Sequence, residues 1–125
     1  METCMPGIVF FRTTHRSEVV EFYTDRLGFD RWHEQDGGCT VLQYDNLLVG
    51  FCDAAETETD GIVTVVVEDE SAVDDRYHEL SDVARSPPEI NETFDIYQFF
   101  ADDPDGRTVE IQAFRHSIPA VRSDR

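Results

Sequence analysis

The sequence predicts an α+β fold of two tandem strand-helix-three-strand modules, and three observations carry that prediction. The same order of apolar patterns occurs on both sides of an acidic, apolar-poor stretch at residues 54–60. The first module holds a segment with apolar residues at helical spacing that stops at a glycine, Gly28. Near the end, Asp103-Pro104-Asp105-Gly106 feeds a segment in which Val109, Ile111 and Ala113 alternate with Thr108, Glu110 and Gln112. Proline presets φ for the second position of a type I turn and glycine takes the left-handed position after it, while the two-residue period is that of a half-buried strand. One face of that strand is apolar; the other carries a single carboxylate, Glu110.

In chain order, residues 7–12 read as a strand and 14–27 as an amphipathic helix with Val19, Phe22, Tyr23 and Leu27 on its apolar side, Thr14 capping its start and Gly28 ending it. Strands are expected at 29–34, 39–44 and 47–52, separated by Gly37-Gly38 and Asp45-Asn46 turns. The second half repeats the order: a strand at 62–68, a helix at 71–80 with Val73, Tyr77 and Leu80 on one side, and three weaker strands ending at Phe114. Ser71 with Asp74 suggests a capping box, and Ser86-Pro87-Pro88 confines the sixth strand to an edge or a bend. The chain is thus expected to be one domain spanning 1–125, with module one at about 7–53, a linker at 54–60, module two at 61–115 and a flexible tail at 116–125.

Composition excludes several functions. Of 125 residues, 27 are acidic and 10 basic, a net charge of −17, and every basic residue is arginine. Such a surface repels itself at low salt and is relieved when the screening length falls to roughly 3 Å in molar salt, so the expected host has a very salty cytoplasm. The same acidity excludes nucleic acid as a partner, since phosphates are met by clustered cationic side chains. The stretch from Met1 to Phe11 lacks a basic region followed by a long apolar run, and no segment has membrane-spanning length, so the expectation is a soluble, cytoplasmic protein. Cys4, Cys39 and Cys52 are odd in number and at no metal-like spacing; reduced, packed thiols are expected rather than a disulfide framework or a zinc site.

Two consecutive strand-helix-three-strand modules, with Phe22-Tyr23-Thr24-Asp25-Arg26-Leu27-Gly28-Phe29 in the first and Asp103-Pro104-Asp105-Gly106 before the last strand, resemble the vicinal oxygen chelate superfamily over about residues 7–114. That group includes glyoxalase I, extradiol dioxygenases, methylmalonyl-CoA epimerase, fosfomycin-modifying enzymes and bleomycin resistance proteins. The resemblance implies two βαβββ modules closing around a central cavity, a homodimer, and metal ligands on the first and last strands of each module. Carried onto this chain, those positions fall on Ile8, on Gly50 or Val49, on Ile62 and on Glu110, so only Glu110 matches the ligand pattern. A divalent metal wants three or more protein donors, so no metal site is assigned and a divalent metal would find an incomplete set.

Glu110 is the candidate catalytic residue, with a plain hydrogen-bonding role, a ligand or acid-base role and a metal role all open. Candidate ligand-binding residues are Ile8, Phe10, Arg12, Trp32, His33, Ile62, Thr64, Tyr97, Phe99 and Gln112, which combine apolar walls with a few polar groups as small-molecule sites do. His33 is the one histidine expected in a pocket; His15, His78 and His116 read as surface or tail residues. The expected function is the binding of a small organic molecule in an apolar cavity with a degenerate metal site. The alternative is a divalent-metal-dependent lyase, isomerase, thiol transferase or dioxygenase using Glu110.

Overall fold

The computed structural model describes residues 5–121. Its elements follow the predicted order: β1 (Val9–Thr13), α1 (Arg16–Asp25), β2 (Asp30–Gln35), β3 (Cys39–Tyr44), β4 (Leu47–Asp53), β5 (Ile62–Val66), α2 (Glu70–Leu80), β6 (Glu89–Asn91), β7 (Ile96–Asp102) and β8 (Thr108–Phe114). They form two four-stranded sheets, β1-β4-β3-β2 and β5-β8-β7-β6. In each, the first and last strands of the module run parallel and the remaining pairs are antiparallel. The chain divides between Glu58 and Thr59, and again between Pro119 and Ala120. No helix among the described residues is long and apolar enough to cross a membrane.

Module one packs α1 on one face of its sheet. Val19, Phe22, Tyr23 and Leu27 are buried as their spacing predicts, and Tyr23 sets its ring 4.9 Å from Phe51 and 5.3 Å from Phe29. The predicted Thr14 cap does not form. The cap position is His15, whose side chain makes no capping bond; its amide donates to Thr13 Oγ1 at 2.9 Å, and the Thr14 hydroxyl is tied to Thr57 at 3.1 Å. Gly28 does end the helix, because its φ of 83° lets the Phe29 amide turn back to the Tyr23 carbonyl at 3.0 Å.

The predicted linker begins as part of module one. Ala54 N–H donates to the Thr13 carbonyl, Glu58 N–H to the Arg12 carbonyl and Thr14 N–H to Thr57 Oγ1. The Ala54 bond extends the β1–β4 ladder, while Thr57 and Glu58, whose Oε1 also accepts from Arg12 N–H at 2.8 Å, lie along the outer edge of β1 and satisfy polar groups that an unpaired edge strand would leave open.

The cysteine expectation is overturned for two of the three residues: Cys39 and Cys52 form a disulfide. They are direct partners in the antiparallel β3–β4 ladder, with Cα atoms 4.0 Å apart, so the hairpin brings the thiols together. Cys4 lies outside the described residues.

In module two, α2 covers the face formed by Val63, Val65, Val109, Ile111 and Ala113 and buries its own Val73 and Leu80. Its cap is Asp69, accepting from Ala72 N–H at 2.9 Å, two residues before the predicted Ser71. The proline-flanked sixth strand is the three-residue edge strand β6, as the prolines require. In the Asp-Pro-Asp-Gly turn, Gly106 has φ 83° and donates to the Asp103 carbonyl at 2.9 Å. Of the predicted tail, 116–121 are exposed with no helix or strand; 122–125 lie outside the described residues.

Candidate functional site

The side of the module-two sheet opposite α2 carries a pocket of about 420 Å³. The alternation that buries Val109 and Ile111 under the helix turns Glu110 and Gln112 the other way. Antiparallel pairing sets Phe100 beside Glu110 and Gln98 beside Gln112 on β7. Ile62, Phe94, Ile96, Phe100 and Phe114 supply the apolar wall, and Asn91, Gln98, Glu110 and Gln112 the polar groups.

Glu110 is 8% exposed. Thr64, its register partner on β5, donates its hydroxyl to Glu110 Oε1 at 2.8 Å, which fixes the carboxylate with Oε2 left for a further partner. Asn91 donates to Gln98 Oε1 at 3.2 Å, while its own Oδ1 accepts from the Thr93 and Phe94 amides at 3.0 and 3.3 Å. That turn places Phe94 at the rim, 67% exposed.

Of the candidates in module two, the structure brings Ile62, Glu110 and Gln112 together and sets Thr64 behind Glu110. Tyr97 and Phe99 fall on the other face, a correction of one residue in strand parity. The Tyr97 hydroxyl donates to Asp74 on α2 at 2.7 Å, and the Phe99 ring meets Tyr77 on α2 at 5.5 Å. That hydrogen bond, seconded by desolvation, pushes the Tyr97 phenol up to about 12. The pocket residues the sequence reading missed are their neighbours Ile96, Gln98 and Phe100. Starting from Glu110, antiparallel pairing across the β7–β8 turn would have selected them.

The module-one candidates lie on or beside the other sheet. Phe10, Gly50, Val41 and His33 form one row across β1, β4, β3 and β2 on the side away from α1. Gly50 is the register counterpart of Glu110, and the Phe10 ring occupies the space a Gly50 side chain would need. Arg12 and His33 are exposed, Ile8 precedes β1, and Trp32 sits at the irregularity in β2, 45% exposed. The polar cluster of this module lies on the α1 side. Arg16 donates to Glu34 at 2.6 Å, to Thr40 at 2.8 Å and to Asp53 at 3.1 Å, and Glu34 is held below the usual carboxylate range, first by the Thr40 hydroxyl and then by Arg16.

Among the described residues, no group of three or more His, Cys, Asp or Glu side chains comes together to hold a metal ion. Glu110 stands beside a hydroxyl and carboxamides, so the residues around it do not fit a divalent metal.

No protein-family model and no curated protein matches the chain. Solved structures do. A glyoxalase/bleomycin resistance protein/dioxygenase from Nocardioides superposes with TM-score 0.71 at 19% identity, covering 98% of this chain and 92% of that one. A glyoxalase/bleomycin resistance protein/dioxygenase family enzyme from Burkholderia phytofirmans PsJN gives 0.73 at 16%, covering 85% and 95%. A lactoylglutathione lyase from Agrobacterium tumefaciens gives 0.71 at 13%, covering 90% and 95%. With the same strand order in both sheets and likeness over nearly its whole length, the chain has the two-module βαβββ fold of the vicinal oxygen chelate superfamily.

Proposed function

We infer that the protein binds a small organic molecule, in the manner of the glyoxalase/bleomycin resistance group, with the ancestral metal position degenerate. The observation that carries this reading is the module-two pocket: an apolar wall with one nearly buried carboxylate and three carboxamides converging on it. That combination, at this volume, is how small ligands are held, with apolar area supplying affinity and the polar groups fixing orientation. Fold alone assigns no reaction, because function resides in the site.

A thermal-shift screen of small organic compounds in molar salt tests the reading, run on the wild type and on Phe100→Asp. The expected result is at least one compound that raises the melting temperature of the wild type and loses that effect in the variant. No stabilising compound would remove the reading. Stoichiometric Mn, Fe, Zn, Ni or Mg lost in Glu110→Ala would replace it with the metal-dependent enzyme.

A further inference from the structure

Resting on the pocket reading above, we propose that the ligand is an organic cation, specifically a tertiary or quaternary ammonium. The charge follows from the wall. Glu110 is the one ionisable side chain among the described residues lining the pocket; no arginine or histidine lines it, and the chain contains no lysine. An anionic ligand would meet a nearly buried carboxylate with nothing to offset it. A neutral one would leave that carboxylate desolvated without a counter-charge. A cation gains from Glu110 and also from Phe94, Phe100 and Phe114, since aromatic rings attract positive charge at their faces.

The class of cation follows from the hydrogen-bond inventory. A primary ammonium brings three N–H donors. Thr64 already donates to Glu110 Oε1, and Gln98 Oε1 already accepts from Asn91. The remaining acceptors, Glu110 Oε2 and the Gln112 carbonyl, suit a head group with few donors. Methyl or alkyl substituents on nitrogen meet the Ile62, Ile96 and phenylalanine surfaces while the charge faces Glu110. The second N–H of Asn91 and the side-chain N–H groups of Gln112 then serve a polar group elsewhere on the ligand.

Molar salt is the discriminating condition. A protein at −17 attracts any cation in dilute buffer, but at about 1 M salt the screening length is roughly 3 Å and exposed charges lose that pull, whereas a nearly buried carboxylate is screened far less. Tetramethylammonium, choline and benzyltrimethylammonium chlorides are titrated calorimetrically in about 1 M NaCl, alongside 3,3-dimethylbutan-1-ol, the uncharged carbon counterpart of choline. At least one ammonium is expected to bind saturably, with choline about tenfold or more tighter than the alcohol. Glu110→Gln should abolish that preference, and Phe100→Leu, which keeps apolar bulk without the ring, should reduce it. Circular dichroism on both variants confirms that they fold.

Alcohol binding equal to choline would overturn the cation inference and leave the pocket reading standing. Ammonium binding unchanged in Glu110→Gln would place the cation on the acidic surface and overturn the inference as well. If no ammonium binds, the inference falls, and the thermal-shift screen alone decides whether the pocket holds something else.

Discussion

The two modules share one plan and differ at its centre. In module one, the row that crosses the sheet away from the helix reads Phe10, Gly50, Val41, His33; in module two, the corresponding row reads Thr64, Glu110, Phe100. The first fills its middle with a ring laid over a glycine, and the second holds a carboxylate fixed by a hydroxyl. Identical topology therefore supports an apolar, closed position in one half and a polar, open one in the other. The difference lies in a pair of residues on neighbouring strands, Phe10 with Gly50 against Thr64 with Glu110, because strand pairing makes the two choices interdependent.

Charge widens the contrast and supplies the largest expected effect. Module two, 61–115, carries fourteen acidic and four basic residues, and module one, 7–53, eight and four. At about 0.01 M salt the screening length is near 30 Å, and these charges repel across the whole chain; at about 1 M it is near 3 Å. Dilution is therefore expected to lower the melting temperature steeply, with the amides of β7 and β8 losing hydrogen-exchange protection before those of β3 and β4. A melt as high in dilute buffer as in molar salt would show that the acidity is no salt adaptation, and module one opening first would break the charge argument.

Each module also has an arginine that pairs with two carboxylates, in opposite environments. Arg107 is fully buried, donating to Asp103 at 2.8 Å and to Asp105 at 3.3 Å inside the turn that feeds β8, whereas Arg16 pairs with carboxylates that are 57–58% exposed. Removing one partner of a buried pair strands the other charge, so Arg107→Ala is expected to cost about 3–5 kcal/mol in urea unfolding at molar salt. Arg16→Ala should cost about 1 kcal/mol or less. Equal losses would mean that the buried turn is no more dependent on its arginine than the surface is.

The central pair can be tested directly. Gly50 has no positive φ, so what excludes a side chain there is the Phe10 ring and not the backbone. Gly50→Ala is expected to cost about 1–3 kcal/mol by overpacking, and the same change in a Phe10→Ala background should cost distinctly less. Additive losses would show that ring and glycine are not coupled.

Much of this plan was legible in the sequence because the signals were local. β3 begins and ends where the pattern of 39–44 predicts, and Gly28 and Gly106 take the left-handed turns their neighbours demand. What was missed depends on pairing across the chain. Cys39 and Cys52 are equidistant from the Asp45-Asn46 turn, so counting outward along the hairpin finds the disulfide that cysteine number and spacing do not suggest. The sequence alone does not separate Tyr97 and Phe99 from the pocket face, because an aromatic run, Tyr97 to Phe100 with one glutamine, has no internal parity; only register with β8 supplies it. Asp69 in place of Ser71 reflects a helix starting one residue early, with several acidic residues able to cap it.

The smallest expected effect tests that parity from the other side. If Tyr97 belongs to the α2 face, its hydroxyl holds Asp74 and its phenol stays neutral to about 12, well above the ordinary value near 10. A group whose folded value is raised contributes stability below its unfolded value and loses it as pH rises through the folded one. Wild type should therefore exceed Tyr97→Phe by about 0.5–1 kcal/mol, the worth of a partly exposed hydrogen bond, from about neutral pH up to about 10. The advantage should vanish between pH 10 and 12, read from urea midpoints at molar salt. Because the ring lies across the sheet from Glu110, Tyr97→Phe should leave ligand affinity unchanged. A variant that weakened the ligand while keeping its pH-independent stability would return Tyr97 to the pocket and reverse the parity of β7.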